Sequence, residues 1–210
     1  MCATSKGVAL SSVLRSYPPI RESPDLYQST RIWEAARATS AASSFFDPIA
    51  IGPLKQEFLD GGTGANNPIR QLWNEASDVF CDSSGFKLAQ NICTIVSIGT
   101  GVPDLKEFGN DHLAISKTLL DMSTETQTTA TEFHRPHSDL DDEMKYYRFN
   151  VPRGLAAIGL EEVEKAARIK ELTDVYLEEQ SVFQAIRRCA KMLGEPIMAA
   201  PEASQQSMYR

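Results

Sequence analysis

The chain has 210 residues, 42% of them apolar and 23% charged, and its net charge is −7. This is the composition of an ordinary globular protein, and the length is that of one domain or most of one. The acidic balance, with no dense cluster of Lys and Arg, argues against nucleic-acid binding and against electrostatic docking on anionic lipid.

The four cysteines are scattered along the chain, and none belongs to a CxxC pair. Such spacing is typical of reduced thiols in the cytosol. No apolar run approaches the roughly 18 residues that a membrane-spanning helix needs. No basic and apolar leader follows Met1, so we expect no signal peptide and a cytoplasmic protein.

The first third of the chain alternates between strand and helix patterns. Residues 8–17 are strand-like and end at a Pro-Pro pair. An alanine-rich helix is predicted over Arg31–Ala42, with Ser29 or Thr30 as its cap. Its small side chains would allow it to approach a sheet closely. A short strand follows over Lys55–Asp60.

The middle of the chain continues this alternation. Asn67 is expected to cap an amphipathic helix with Pro68 at its first position. Asn91–Gly101 is an almost continuous apolar run, which predicts a strand buried on both faces. Residues 111–133 favour a helix with uncertain bounds.

The last third contains a strand over Tyr146–Val151 and two closing helices, over Leu160–Leu172 and Thr173–Leu193. Residues 194–210 are expected to form a disordered tail. Strands that alternate with helices predict an α/β fold with a mainly parallel sheet.

The segment around Asp60 is the most informative part of the sequence. Asp60 ends an apolar run, and Gly61, Gly62 and Gly64 follow it, which would allow backbone conformations that side chains forbid. An acid at the carboxyl end of a strand, beside a helix N-terminus, lies where open α/β sheets bind their ligands. The alternative is that Asp60 only caps the turn.

Two other motifs are weaker. Ser97 lies in a sequence like a nucleophile elbow, but Ile95 stands where GxSxG has its first glycine, so the end of a strand is the better interpretation. Gly99-Thr100-Gly101 is half of a dinucleotide-binding fingerprint and lacks its third glycine.

The histidines do not predict a site. His134 and His137 lie near several acids, but their spacing matches no zinc or calcium motif, and a solvated acidic loop is the better interpretation. None of the three histidines lies in the context of a Ser-His-Asp triad. We therefore expect no metal site and no cofactor.

Three blocks together resemble the patatin-like phospholipase family. They are Trp33–Ala42, Phe58–Pro68 and Ser97–Gly101, in this order. Residues 2–5 and 14–17 are similar to the strand and hairpin before these blocks. Residues 148–151, with the closing helices, are similar to the C-terminal part of fungal members. The resemblance covers residues 1–193.

The resemblance implies a three-layer α/β/α domain that hydrolyses lipid acyl esters with a Ser–Asp dyad. The aspartate of the family belongs to a DG[GA] motif, which falls on Asp60, Gly61 and Gly62. The implied substrate is a phospholipid, a lysophospholipid or a glyceride, and peripheral contact with a membrane would accompany it.

The sequence departs from the family where the nucleophile should be. No GxSxG and no glycine-rich oxyanion loop occur in the chain. We therefore expect a fold that is incomplete at its N-terminus, with the nucleophile-bearing half missing, and no turnover by the isolated chain. A non-catalytic lipid-binding or protein-interaction module is the alternative, and an unrelated nucleophile such as Ser5 or Ser40 is a third hypothesis.

Overall fold

The structure, a computed structural model, describes residues 1–43, 45–81, 86–102, 125–155, 158–159 and 162–194. Its strands are β1 (Cys2–Ser5), β2 (Leu10–Val13), β3 (Ile49–Ile51), β4 (Gln56–Asp60), β5 (Ile95–Ile98) and β6 (Tyr146–Phe149). Its helices are α1 (Asp25–Ser29), α2 (Ile32–Ala38), α3 (Gly62–Ala65), α4 (Ile69–Phe80), α5 (Leu88–Asn91), α6 (125–134), α7 (Asp139–Asp142), α8 (Ala166–Glu178) and α9 (Gln180–Gly194). Strands and helices are thus mixed along the chain, and the predicted α/β class is confirmed.

The first sheet has the order β2-β1-β4-β3, and each neighbouring pair is antiparallel. The prediction of a mainly parallel sheet is therefore wrong for the described residues. The reason is loop length, because β1 joins β2, and β3 joins β4, through only four residues each. A connection this short can make a hairpin but not a parallel crossover. Strand β3 was not predicted, and β2 is shorter than the expected 8–17.

The second sheet pairs β5 with β6 in parallel, with Ile95 opposite Tyr146. The expectation that β5 is buried on both faces is wrong, since Ile98 is 79% exposed and Val96 is also exposed. Ile95 alternates with them and packs against a buried cluster of Ile69, Phe133 and Leu140. An apolar run alone does not show which face a neighbouring element will cover.

The predicted alanine-rich helix is present as α2, but it ends at Ala38 rather than Ala42. Ala38 is fully buried in the first core, together with Ala3, Leu14, Ile51 and Phe58. The expected cap is wrong: the hydroxyls of Ser29 and Thr30 donate to carbonyl oxygens of α1, at Asp25 and Leu26. Instead, the Glu34 carboxylate accepts the backbone N–H of Arg31 at 2.7 Å, as the acid of a capping box does.

The two closing helices are present, but their boundary lies elsewhere than predicted. α8 ends at Glu178 and α9 begins at Gln180, so Thr173 lies inside α8. The Thr173 hydroxyl donates to the carbonyl oxygen of Ile169, one turn back, and therefore does not cap a new helix. Residues 160–161 and 195–210 lie outside the described residues, and Gly194, the first residue of the predicted tail, is the last residue of α9. Residues 111–124 of the predicted helix 111–133 also lie outside them, whereas residues 125–133 are helical.

The turn after Asp60 is the short helix α3. Gly61 has φ −61° and ψ −26°, an ordinary helical conformation, so the predicted need for unusual backbone angles is wrong there. The reason for a glycine is a close approach of two backbones. A Cβ on Gly61 would lie 2.4 Å from the carbonyl oxygen of Cys2, whereas one on Gly64 would lie 3.6 Å from its nearest neighbour.

Helix α4 begins at Ile69, one residue later than predicted, with Pro68 at the cap position. The Asn67 side chain accepts the Ile69 N–H at 3.4 Å and donates to the carbonyl oxygen of Thr126. Asn67 thus lies one residue before the cap position, where its side chain accepts the first N–H of α4 and also ties the helix to α6. No helix in the described ranges is long and apolar enough to cross a membrane.

An ion pair fastens α4 to the end of the first hairpin. Arg15 donates to both carboxylate oxygens of Glu75, and the side chains of these residues are only 10% and 16% exposed. The Tyr17 hydroxyl donates to the same carboxylate at 2.9 Å. The hydrogen bond from Arg15 holds the pKa of Glu75 below its ordinary value of 4.5, although partial desolvation opposes this.

We expect Glu75→Gln to remove a pH-dependent part of the stability. Because the pKa of Glu75 is lowered in the folded state, its contribution is present above the ordinary pKa of 4.5 and is lost as pH falls through the folded value. At neutral pH the variant should lose about 1–3 kcal/mol of unfolding free energy, because Arg15 loses its less exposed carboxylate partner and keeps only the exposed Glu22. Urea unfolding measured between about pH 7 and pH 3 checks this. Parallel pH profiles for the two proteins would contradict it.

We expect Gly61→Ala to destabilise the fold by about 1–3 kcal/mol, since its methyl group would overlap the Cys2 carbonyl. Gly64→Ala is the matched control: it has room for the methyl group and should be neutral or stabilising by up to about 1 kcal/mol, because alanine favours a helix. Urea unfolding of both variants measures the difference. The close approach is disproved if the two variants unfold at the same denaturant concentration.

Candidate active site

The backbone of Asp60 is held by two parts of the chain, β1 and the segment after α2. It is the last residue of β4, opposite Ala3 of β1. Its N–H donates to the carbonyl oxygen of Ala41 at 3.0 Å, and its carbonyl oxygen accepts the Thr4 hydroxyl at 2.9 Å. The half-buried side chain therefore projects from a rigid point of the sheet.

The Asp60 carboxylate is only partly used by the fold. Its Oδ1 accepts the N–H of Gly62 at 3.0 Å, the turn contact that the simpler interpretation of this residue predicts. Among the residues that the structure describes, none donates a hydrogen bond to Oδ2. One oxygen thus orients the carboxylate, and the other can accept a proton.

Asp60 lines a cavity of about 690 Å³, which we call the Asp60 cavity. Its wall includes Gly61 and Gly62 on one side and Thr100 and Gly101 on the other. Thr39, at the end of α2, also lines it. Each of the three sequence blocks therefore contributes a residue to one cavity.

Among the residues that the structure describes, two carboxylates line this cavity, those of Asp60 and Glu75. Glu75 is neutralised by Arg15, and the hydrogen bond between them keeps its pKa low. No ion pair to Asp60 occurs within the described ranges. An unpaired carboxylate on a cavity can act as a base, whereas a paired one serves mainly to hold the structure.

The described serines do not line the Asp60 cavity, whose hydroxyl groups come from threonines and Tyr17. Ser5 is buried in β1, where its hydroxyl accepts a bond from Gln56 at 3.3 Å. The Ser40 hydroxyl donates to the carbonyl oxygen of Ala36. The Cys2 thiol lines the cavity, but burial raises its pKa, which disfavours the thiolate.

Ser97 and the following glycines have structural contacts that the sequence motifs did not reveal. Arg148 donates to the Ser97 hydroxyl at 2.7 Å. The Asn150 side-chain oxygen accepts the N–H of Gly101 at 2.7 Å, and a Cβ on Gly99 would lie 2.3 Å from this oxygen. These glycines therefore allow the loop to fold around Asn150. The sequence YYRFN at residues 146–150 does not predict this contact of Asn150 with Gly101.

The histidine segment is also built into the fold. His137 stacks on Phe133 and meets Trp73 edge-on, while its Nδ1 contacts the carbonyl oxygen of Phe133. His134 contacts the Asp141 carboxylate. In the part of the chain that is described, no three His, Cys, Asp or Glu residues are grouped as a metal site would require. His112 lies outside the described residues.

Comparison with known proteins adds independent evidence. Residues 4–73 match the family model described as patatin-like phospholipase. The match contains Asp60, Gly61 and Gly62 but ends before Ser97. It therefore covers the first two of the three sequence blocks and not the third.

Curated relatives extend the similarity along the chain. The chain is 29% identical to patatin-like phospholipase 1 of Plasmodium falciparum over an alignment 187 residues long, which covers 82% of this chain and 27% of that protein. It is 28% identical to the 85/88 kDa calcium-independent phospholipase A2 of Rattus norvegicus, covering 74% of this chain and 21% of that protein. It is also 28% identical to the calcium-independent phospholipase A2-gamma of Mus musculus, covering 79% of this chain and 20% of that protein.

The chain thus spans about a quarter or less of the length of these relatives. The resemblance predicted from the three sequence blocks is confirmed, since the chain is similar to patatin-like phospholipases, whereas the fungal type stays a prediction.

Proposed function

We propose that residues 1–193 form the C-terminal portion of a three-layer lipid acyl hydrolase domain, in which Asp60 is the general base of a Ser–Asp dyad. The observation that carries this proposal is the Asp60 carboxylate, which lines a cavity together with two glycine-containing segments and whose Oδ2 has no donor among the described residues. The family match over residues 4–73 supports it.

In this proposal Asp60 Oδ2 takes the proton of a serine hydroxyl as the serine oxygen attacks the ester carbonyl. The alcohol leaves with that proton, and an acyl-serine remains. Asp60 then takes a proton from water while the water oxygen attacks the carbonyl of the acyl-serine. As the bond to the serine oxygen breaks, Asp60 returns the proton to that oxygen, and the fatty acid is released. The hydrogen bond from Gly62 holds the carboxylate at a constant angle during both steps.

The serine and the oxyanion donors belong, in this proposal, to polypeptide outside these 210 residues. The sequence has no GxSxG, and no described serine lines the Asp60 cavity. The isolated chain would then bind lipid without turning it over. A phospholipid, a lysophospholipid or a glyceride remains the expected substrate, met in the cytoplasm or at the surface of a membrane.

A second candidate function is a non-catalytic lipid-binding or protein-interaction module on the same scaffold. The lack of a described serine in the Asp60 cavity favours it. It differs from the main proposal in one respect: Asp60 would have no role beyond its contact with Gly62. The two candidates are separated by the variants below.

We expect the isolated chain to resist a serine-directed fluorophosphonate probe. Neither Ser5 nor Ser40 has a base beside it, since their hydroxyls contact Gln56 and Ala36 respectively. Gel fluorescence of the folded chain, with a known serine hydrolase as positive control, measures the labelling. A labelled serine within these 210 residues would overturn the assignment of the nucleophile to another segment.

In a longer polypeptide that includes a GxSxG segment, we expect Asp60→Asn to lower kcat for ester hydrolysis by about 10²–10⁴-fold, the usual contribution of a general base. The melting temperature should change little, because the amide oxygen can still accept the Gly62 N–H. Glu57→Gln is the matched control, an exposed acid of the same strand that pairs with Lys6. Unchanged kcat in Asp60→Asn would remove Asp60 from the mechanism, whereas absence of turnover by the native longer polypeptide would support the non-catalytic candidate.

A further inference from the structure

A second cavity of about 620 Å³ lies between the ends of β5 and β6 and the side of α8, and we call it the α8 cavity. Its wall is mostly aliphatic, with side chains that include Ile98, Val151, Ile169, Leu177 and Ile186. Glu162 is the charged residue in the described lining, and it is already paired with Lys165. The cavity therefore suits an uncharged, apolar ligand.

Helix α8 supplies one long side of this cavity. Its lining residues are Ala166, Ile169, Thr173, Tyr176 and Leu177, which follow helical spacing over about 16 Å. Tyr176 fastens the helix to the sheet, because its hydroxyl oxygen accepts the N–H of Asn150 at 3.2 Å. This hydrogen bond holds the α8 side of the cavity in a constant position relative to the end of β6.

The α8 cavity adjoins the Asp60 cavity. Thr100, Leu155 and Ile158 line both of them. A ligand can therefore have a polar part near Asp60 and an apolar part along α8. Ile98 is 79% exposed at the rim, and exposed aliphatic surface of this kind is stabilised when a ligand covers it.

We propose that the α8 cavity binds the acyl chain of the lipid and that the side chains of α8 set the chain length accepted. This inference rests on the proposed function, since the ester bond would lie at Asp60. A polar headgroup is a poorer occupant because the described lining offers it no unpaired charge. Chain length is then selected by the depth of the cavity along α8.

Two neighbouring alanines at the start of α8 provide a matched test. Ala166 lines the cavity, whereas Ala167 does not, and both are exposed on the same helix. Ala166→Trp should fill part of the cavity, and Ala167→Trp should place the same side chain in solvent. Ile169→Asp, which puts a charge in the apolar wall, and Val175→Asp, on exposed surface outside the lining, form a second pair.

The test measures binding of palmitic and octanoic acids to the 210-residue chain, by displacement of a fluorescent fatty acid below the micelle concentration. We expect palmitate to bind at least tenfold more tightly than octanoate. Ala166→Trp should weaken palmitate at least tenfold and octanoate less than threefold, and Ile169→Asp should weaken palmitate at least tenfold. Ala167→Trp and Val175→Asp should change neither by more than twofold. Circular dichroism confirms that each variant is folded.

The outcomes separate this inference from the proposed function. Asp60→Asn should bind palmitate at least as tightly as the native chain does, because binding needs no base and the amide removes a like charge near the palmitate carboxylate. If the native chain does not bind palmitate, or if each control weakens it as much as its partner, the α8 cavity is not an acyl site even where turnover depends on Asp60. Suppose that palmitate binds with the expected pattern, but the longer polypeptide with a GxSxG segment keeps full turnover when it carries Asp60→Asn. That result would overturn the Ser–Asp dyad and leave the acyl site standing.

Discussion

The position of Asp60 depends on the contact between β1 and the turn that follows β4. β1 lies between β2 and β4, and its register places Ala3 opposite Asp60. One residue further, Gly61 passes so close to the Cys2 carbonyl that no side chain fits. The first five residues of the chain thus form the wall against which the DGG turn is built.

The same strand is fixed at its other side. The backbone nitrogen of Met1 donates to the carbonyl oxygen of Leu14 at 2.8 Å, and the N–H of Leu14 donates to the carbonyl oxygen of Met1 at 2.7 Å. Immediately afterwards Arg15 reaches Glu75 of α4. The β1–β2 hairpin therefore contacts both β4, which ends at Asp60, and α4. Residues of β4 and of α4 both line the Asp60 cavity.

The two carboxylates of the Asp60 cavity show how environment separates acids of similar chemistry. Glu75 receives donors from Arg15 and Tyr17, which stabilise its ionised form and lower its pKa. Asp60 receives one backbone N–H and no cation from the described residues. A carboxylate that is held but not neutralised can exchange a proton with a ligand, and this difference supports Asp60 over Glu75 as the base.

The Asp60 cavity has a more polar lining than the α8 cavity, and the two cavities adjoin each other. The loop after β5 contributes Thr100 to both, and Asn150 after β6 supports that loop through Gly101. Ligands commonly bind at the carboxyl ends of parallel strands, where successive loops converge. β5 and β6 are the parallel pair in the described residues, and the shared edge of both cavities lies at their ends.

Local sequence determined the elements whose signals lie within a few residues: strand β4, the apolar face of α4, the alanine-rich α2 and the DGG turn itself. The family resemblance followed from the same short blocks. Tertiary structure alone decided the antiparallel order of the first sheet, the exposed face of β5 and the continuation of α8 through Thr173. It also decided the pairing of Arg15 with Glu75 and of Asn150 with Gly101, across 60 and 49 residues of sequence. Helix and turn signals depend on neighbours along the chain, whereas strand direction, burial and ion pairing depend on residues that only the fold brings together.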